Sequence, residues 1–193
     1  MIRINGSGPY GPLRMPIQCA LKTKGTFPKW PLRGLIGAKE RAMPGSWPAH
    51  ELPNLTAATC DVTSPVTNRY NCIAWAAGED FRWWWPDSMG IAYWPPPVPR
   101  EVTMRAFWEA FQTLGYSLCY SSSLEDGLEK VAIFGSQDQF GTTTPTHASL
   151  QLSSGKWSSK LGPFEDVCHE IPNDVSGPAY GVVVFYMSRP RVQ

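Results

Sequence analysis

The uneven distribution of proline and glycine divides this chain of 193 residues into two parts. Eight of its 19 prolines and seven of its 17 glycines lie before residue 54, where only the stretch 32–43, LRGLIGAKERAM, reads as a helix. Such a segment cannot bury enough apolar surface to form a core of its own. We therefore predict a Pro/Gly-rich N-terminal arm, residues 1–65, that wraps a domain formed by residues 66–193.

The order of predicted elements in the second part indicates an α+β fold. Residues 70–80, YNCIAWAAGED, read as a short apolar helix, and residues 101–116 as an amphipathic helix that ends at Gly115. A loop rich in tryptophan and proline, residues 81–99, lies between them. Five β-prone runs follow: YSLCY, KVAIFG, HASLQL, KWSSKL and YGVVVFYM. The Ser-Ser-Gly-Lys turn between the third and fourth runs predicts a hairpin.

Composition argues against several classes of partner and location. The formal net charge of +1 gives no electrostatic reason to expect nucleic acid or a charged membrane surface. The sequence contains no run of about 18 apolar residues, so it predicts no membrane span. Because the N-terminus lacks the apolar core of a Sec signal, we expect a protein that is cytoplasmic as synthesised, or one that a specialised secretion system delivers as a toxin-like effector.

The sequence predicts no metal site and no cofactor. Its five cysteines form no C-x-x-C pair, and neither a P-loop nor a G-x-G-x-x-G motif is present. Any chemistry would therefore come from the side chains themselves.

Cys72 and His147 form the candidate catalytic pair. Cys72 stands at the start of the first predicted helix, and His147 opens a predicted strand. A helix N-terminus and a protonated imidazole both lower the pKa of a thiol, and the imidazole can later protonate the leaving group. The alternatives remain open, because Cys72 could be a core thiol and His147 could bond a backbone carbonyl.

Several segments resemble a bacterial family of uncharacterised proteins. These are YNCIAWAAG, RWWWP, YWPP, PTHASLQLSSGKWSSKLG and YGVVVFYMSRP, which extend from about residue 68 to 191. More distantly, HASLQLSSGKWSS resembles the histidine-bearing hairpin of NlpC/P60 peptidases. That resemblance implies a papain-like domain, in which a helix carrying the cysteine packs on a mostly antiparallel sheet.

The resemblance also implies a third polar residue that orients the histidine. It falls near Ser159, where NlpC/P60 proteins carry a stronger orienting group, and Asp166 is the next candidate. The backbone N–H of Cys72 and the side chain of Asn71 or Tyr70 could form an oxyanion hole, although Asn71 could simply cap the helix.

The tryptophan-rich loop supports a second hypothesis. Trp84 and Arg82 could contact a substrate, as an aromatic platform and as a ligand for a carboxylate. At least one of the three consecutive tryptophans should nevertheless lie in the core.

Two functions follow from these observations. The first is a cysteine-dependent amidohydrolase acting on a peptide, isopeptide or peptidoglycan-like substrate, with deamidation or transamidation also permitted by the chemistry. The alternative is a non-catalytic binding module that uses the tryptophan-rich loop, residues 81–97.

Overall fold

An antiparallel sheet of seven strands organises the part of the chain that the computed structural model describes, residues 45–191. Every strand pair in it is antiparallel, and the strand order is β1-β6-β5-β4-β3-β7-β2. The strands are β1 (Cys60–Val62), β2 (Ser117–Cys119), β3 (Leu128–Gln137), β4 (Thr143–Gln151), β5 (Trp157–Lys160), β6 (Asp166–His169) and β7 (Val182–Pro190).

Helical structure is sparse in the same residues. Helix α1 (Cys72–Ala76) has 5 residues and helix α2 (Met104–Gln112) has 9, and a 3₁₀ turn spans Pro172–Val175. Helix α1 ends early because Gly78 adopts a left-handed conformation (φ +89°), and Glu79 N–H then bonds back to Ala74 O. The helix read over residues 70–80 is therefore a single turn and a half.

The predicted α+β, papain-like fold is consequently wrong. The described chain is mostly antiparallel sheet, and a papain-like domain in which a helix carrying the cysteine packs on a sheet is not shown. Each of the five β-prone runs overlaps an observed strand, but the sequence did not reveal β1 or β6. Asp166, the second candidate for the orienting residue, lies in strand β6 together with His169.

The sheet separates two hydrophobic cores. The first core lies on the side of the helices and the tryptophan-rich loop, and includes Ile73, Trp75, Trp84, Phe107, Phe111, Val131, Ile133 and Ala148. The second core lies on the other side and includes Trp47, Leu52, Leu55, Ala132, Phe134, Trp157, Leu161 and Val167. Because both faces of the central strands are covered, every residue of β4 from His147 to Gln151 is buried.

Part of the predicted N-terminal arm packs against the sheet. Trp47, Leu52 and Leu55 are buried in the second core, and β1 pairs with β6. Residues 45–62 therefore help to cover the far side of the sheet. The earlier part of the predicted arm, including the helix-like stretch 32–43, lies outside the described residues.

Candidate functional site

Cys72 is the first residue of α1, but its environment opposes formation of a thiolate. The side chain belongs to the first core, and the residue is only 6% exposed. Burial raises the pKa of Cys72 to about 11, although nearby backbone N–H groups and the charge of Lys160 act in the opposite direction. The thiol is therefore neutral at pH 7 and has little nucleophilic character.

The imidazole of His147 points toward the second core, whereas Cys72 belongs to the first. Side chains alternate along β4, so that Ala148 packs in the first core with Cys72, whereas His147 contacts groups of the second core. The imidazole lies edge-on to Phe134, with ring centroids 5.2 Å apart, and stacks on Tyr180 at 4.0 Å. The imidazole of His147 thus points toward the second core, while the backbone N–H of the next residue, Ala148, interacts with the thiol of Cys72.

Ser159 does contact His147, as the hairpin resemblance implied, but within a different arrangement. The Ser159 hydroxyl lies 3.1 Å from His147 Nε2 and 2.9 Å from Nε2 of His169. The Ser159 hydroxyl also lies 2.6 Å from Ser149 Oγ. We call His147, Ser149, Ser159 and His169 the buried histidine relay; all four residues are at most 1% exposed.

The direction of the hydrogen bonds in the relay follows from one carbonyl. Nδ1 of His169 lies 2.8 Å from Ile171 O, which can only accept, so this nitrogen carries the proton. In the neutral ring, Nε2 of His169 must then accept from the Ser159 hydroxyl. Because Ser159 has a single hydrogen, His147 Nε2–H donates to Ser159 Oγ. This leaves Nδ1 of His147 as a buried lone pair without a hydrogen-bond partner in the described part of the chain.

Asp166 does not orient His147, because it faces the other side of the sheet. Its Oδ2 accepts a 2.7 Å hydrogen bond from the hydroxyl of Tyr70, a residue of the first core. Lys160 Nζ lies 5.5 Å from the centre of the Tyr70 ring and bonds Phe164 O. Tyr70 and Asp166 therefore join the segment before α1 to β6, and neither contacts the relay.

Asn71 caps α1, and its amide also holds the tryptophan-rich loop. Its Oδ1 accepts from Ala74 N–H and from Trp84 N–H, each at 3.1 Å, while Nδ2 donates to Trp84 O at 2.8 Å. The capping interpretation is confirmed by the first of these contacts. Because the same amide binds both backbone groups of Trp84, it acts as a structural clamp.

Trp84 and Arg82, which we expected to contact a substrate, are held by Glu79. Trp84 is only 2% exposed, and its indole donates to Glu79 Oε2 at 2.9 Å. Arg82 forms two hydrogen bonds to the same carboxylate, at 2.6 and 2.8 Å, and its guanidinium covers the ring of Tyr93 at 3.5 Å. These bonds, against the effect of its partial burial, keep the pKa of Glu79 below its usual range.

Apart from Arg82, the cleft at the surface of the loop is formed by residues that the sequence did not single out. An open cleft of about 680 Å³ is lined by Arg82, Trp83, Gly90, Ile91, Ala92, Tyr93 and Arg100. Trp83 is 43% exposed and Ile91 is 83% exposed, and Phe81 and Met89 are also exposed. The exposure of Trp83 could have been predicted from the run of three tryptophans. Neighbouring side chains in an extended segment point in opposite directions, so a buried Trp84 implies that Trp83 points outward.

Hydrogen bonds fix the shape of the cleft. Arg100 donates to the carbonyls of Asp87 and Ala92, each at 3.1 Å. The carboxylate of Asp87 in turn accepts from the N–H groups of Ile91 and Ala92 at 2.8 and 2.9 Å. The indole of Trp83 donates to Asn68 O at 2.6 Å. The loop is therefore rigid at its base while its apolar side chains remain at the surface.

Two further classes of site receive no support from residues 45–191. No group of three or more His, Cys, Asp or Glu side chains in this range could hold a metal ion. Within the same range, neither helix is long and apolar enough to cross a membrane.

The fold and the cleft together describe a small antiparallel-sheet domain with a preformed aromatic surface. Residues 61–188 match the family model named Domain of unknown function (DUF7689), and the chain belongs to this family. This confirms the resemblance to an uncharacterised family, whereas the likeness to NlpC/P60 peptidases gains no support. Neither the curated proteins nor the solved structures gave a match to this chain.

Proposed function

We propose that this protein is a non-catalytic binding module that holds an extended, largely apolar and uncharged peptide segment in the cleft of its tryptophan-rich loop. The observation that carries this proposal is the contrast between the base of the loop and its surface. Hydrogen bonds to Asn68 O and to the Asp87 carboxylate fix the base, whereas the side chains of Trp83, Ile91, Phe81 and Met89 remain exposed. A surface that is already ordered loses little conformational entropy when it binds a partner.

The charges of the cleft favour an uncharged partner. Arg82 is paired with Glu79, and Arg100 is paired with Asp87. Because each guanidinium group is already paired with a carboxylate, the cleft carries no excess of positive or negative charge. Its exposed indole and aliphatic groups suit proline and other apolar side chains better than a sugar, whose hydroxyls need many hydrogen-bond partners.

The electrostatics of Cys72 and His147 give the amidohydrolase hypothesis less support than the cleft gives the binding function. The hypothesis requires a thiolate paired with a protonated imidazole, whereas burial raises the pKa of Cys72 and lowers that of His147. We therefore propose the binding function rather than the catalytic one.

Peptide phage display against the full chain tests the proposal. We expect clones rich in apolar residues, and we expect the Ile91→Asp variant to bind the corresponding synthetic peptides at least about tenfold more weakly, since a buried carboxylate would be unpaired. Fluorescence anisotropy of labelled peptides measures the dissociation constants. Ile91 is suitable because its side chain is exposed and the substitution leaves the loop bonds intact.

A matched control uses an equally exposed apolar residue elsewhere. Phe140 is 84% exposed at the turn between β3 and β4, and Phe140→Asp should leave peptide binding unchanged. The proposal is wrong if no apolar clones are enriched, or if Ile91→Asp and Phe140→Asp bind the peptides equally well.

A further inference from the structure

The buried histidine relay joins three neighbouring strands on the side of the second core. His147 comes from β4, Ser159 from β5 and His169 from β6. Strand β6 also pairs with β1, which continues the segment containing Trp47, Leu52 and Leu55. The relay therefore lies where the edge of the sheet and its N-terminal covering segment meet the central strands.

The hydrogen bonds of the relay require both imidazole rings to be neutral. Nε2 of His169 accepts the Ser159 hydroxyl, so a proton added there would place two donors against each other. A proton added to Nδ1 of His147 would create a buried N–H without an acceptor among the described groups. Either protonation thus breaks the pattern of hydrogen bonds and places a charge between the strands.

Within residues 45–191, no carboxylate forms a hydrogen bond with the relay, although the charge of Glu170 opposes the fall in the pKa of His169. The other titratable groups near it among the described residues are Glu51, Cys60, Cys72, Glu170, Asp174 and Tyr180. Asp174 accepts from the backbone N–H groups of Glu170 and Ile171, and Tyr180 stacks on His147 without a charge. Glu170 is exposed and paired with Lys156. The elements β3 and β5 present only uncharged residues to the relay, namely Phe134, Trp157 and Ser159.

We propose that the buried histidine relay is an acid-sensitive lock, whose protonation releases β6, β1 and the covering segment 45–55 while the first core stays folded. The selectivity follows from the position of the relay. His147 contacts Phe134 of the second core, whereas α2 and the tryptophan-rich loop pack in the first core. The inference is independent of the peptide-binding function.

The direction of the pH dependence follows from burial. Burial lowers the pKa of His169 from its usual 6.5 to about 4, and that of His147 well below 6.5. Between pH 6.5 and 4 the released state binds more protons than the locked state. The locked state therefore weakens as the pH falls, by up to about tenfold in the opening equilibrium per pH unit for each histidine.

Hydrogen–deuterium exchange of the full chain at a series of pH values, corrected for intrinsic exchange rates, tests the lock. We expect peptides covering β1 and β6 to lose protection between pH 6.5 and 4, while peptides covering α2 keep theirs. In His169→Gln the neutral amide replaces the titrating ring, and the midpoint of this loss should move down by about one pH unit. If His169→Gln proves unstable, His147→Gln gives the same readout from the other end of the relay.

The third histidine is the control. The side chain of His50 is 84% exposed, so His50→Gln should leave the midpoint unchanged. The proposal is overturned if α2 loses protection together with β1 and β6, if neither relay variant moves the midpoint, or if His50→Gln moves it as much as they do.

Discussion

Single residues in this protein owe their chemistry to the face of the sheet on which they lie. Ser158 and Ser159 are adjacent in β5, yet Ser158 accepts from the indole of Trp75 at 3.0 Å and Ser159 bridges two imidazoles. Both are fully buried. The sequence marked Ser159 as a partner of His147, and that contact exists. The sequence did not predict the contact of His169 with Ser159, because no local pattern reveals that β5 pairs with β6.

Thiol reactivity gives the first prediction at the residue scale. At pH 7, brief treatment of the folded chain with iodoacetamide should modify Cys119 before Cys72, as followed by peptide mass spectrometry. Cys119 is partly exposed, whereas Cys72 is buried and burial raises its pKa to about 11.

The unfolded chain is the control for this experiment. In denaturant both cysteines should react at similar rates, which excludes an effect of the neighbouring sequence. Faster labelling of Cys72 than of Cys119 in the folded state would contradict the structure and return the amidohydrolase hypothesis to consideration.

At the scale of elements, the two helices begin with caps of different importance. Thr103 caps α2 through one bond, from Ala106 N–H to its hydroxyl at 3.2 Å. Asn71 caps α1 and also binds both backbone groups of Trp84. A helix as short as α1 is unstable alone, so it depends on these contacts and on its packing against β4.

Replacement of each cap by alanine should therefore have unequal effects. We expect Thr103→Ala to lower the free energy of unfolding by about 1 kcal/mol and Asn71→Ala by about 2–4 kcal/mol, since the latter also leaves buried backbone groups of Trp84 unpaired. Urea denaturation followed by circular dichroism measures both values.

An isosteric variant separates the two roles of Asn71. Asn71→Asp keeps the oxygen that accepts from Ala74 N–H but removes the donor to Trp84 O. It should keep the cap of α1 but lose the clamp on the loop, because a second carboxylate oxygen would face Trp84 O, which can only accept. Equal losses in Asn71→Ala and Thr103→Ala would show that the clamp on the loop adds no stability.

At the scale of the whole molecule, both faces of the sheet carry apolar side chains that must be buried by other elements. The first core is closed by the helices and the tryptophan-rich loop, and the second core is closed in part by residues 47–55. We predicted that residues 1–65 form an arm, because a segment so rich in proline and glycine cannot form a core of its own. The described end of that region contributes Trp47, 3% exposed, to a core formed with distant strands.

Trp47→Ala tests this contribution. Removal of the buried indole should lower the free energy of unfolding by about 3–5 kcal/mol, and the melting temperature by about 10 °C for a chain of this size. Differential scanning calorimetry of the full chain measures the change. Val66→Ala, at a position that is 54% exposed, should change the melting temperature by less than about 2 °C. Similar melting temperatures for Trp47→Ala and the unchanged protein would mean that residues 45–55 do not stabilise the domain.

The sequence by itself determined the local features of this protein. The β-prone runs became strands, the Ser-Ser-Gly-Lys turn joins β4 to β5, and Asn71 caps a helix. Each of these depends on residues close together in the chain, whose backbone preferences and side-chain bonds act over a few positions.

Only the tertiary structure decided which of these residues meet. Strand β6 pairs with both β5 and β1, and this long-range pairing places His169 on Ser159 and Asp166 on Tyr70. The alternation of β4 sends the side chains of His147 and Ala148 to opposite faces, toward the second and the first core respectively. The physical reason is that the buried face of a strand depends on what covers it, and the covering elements come from distant parts of the chain.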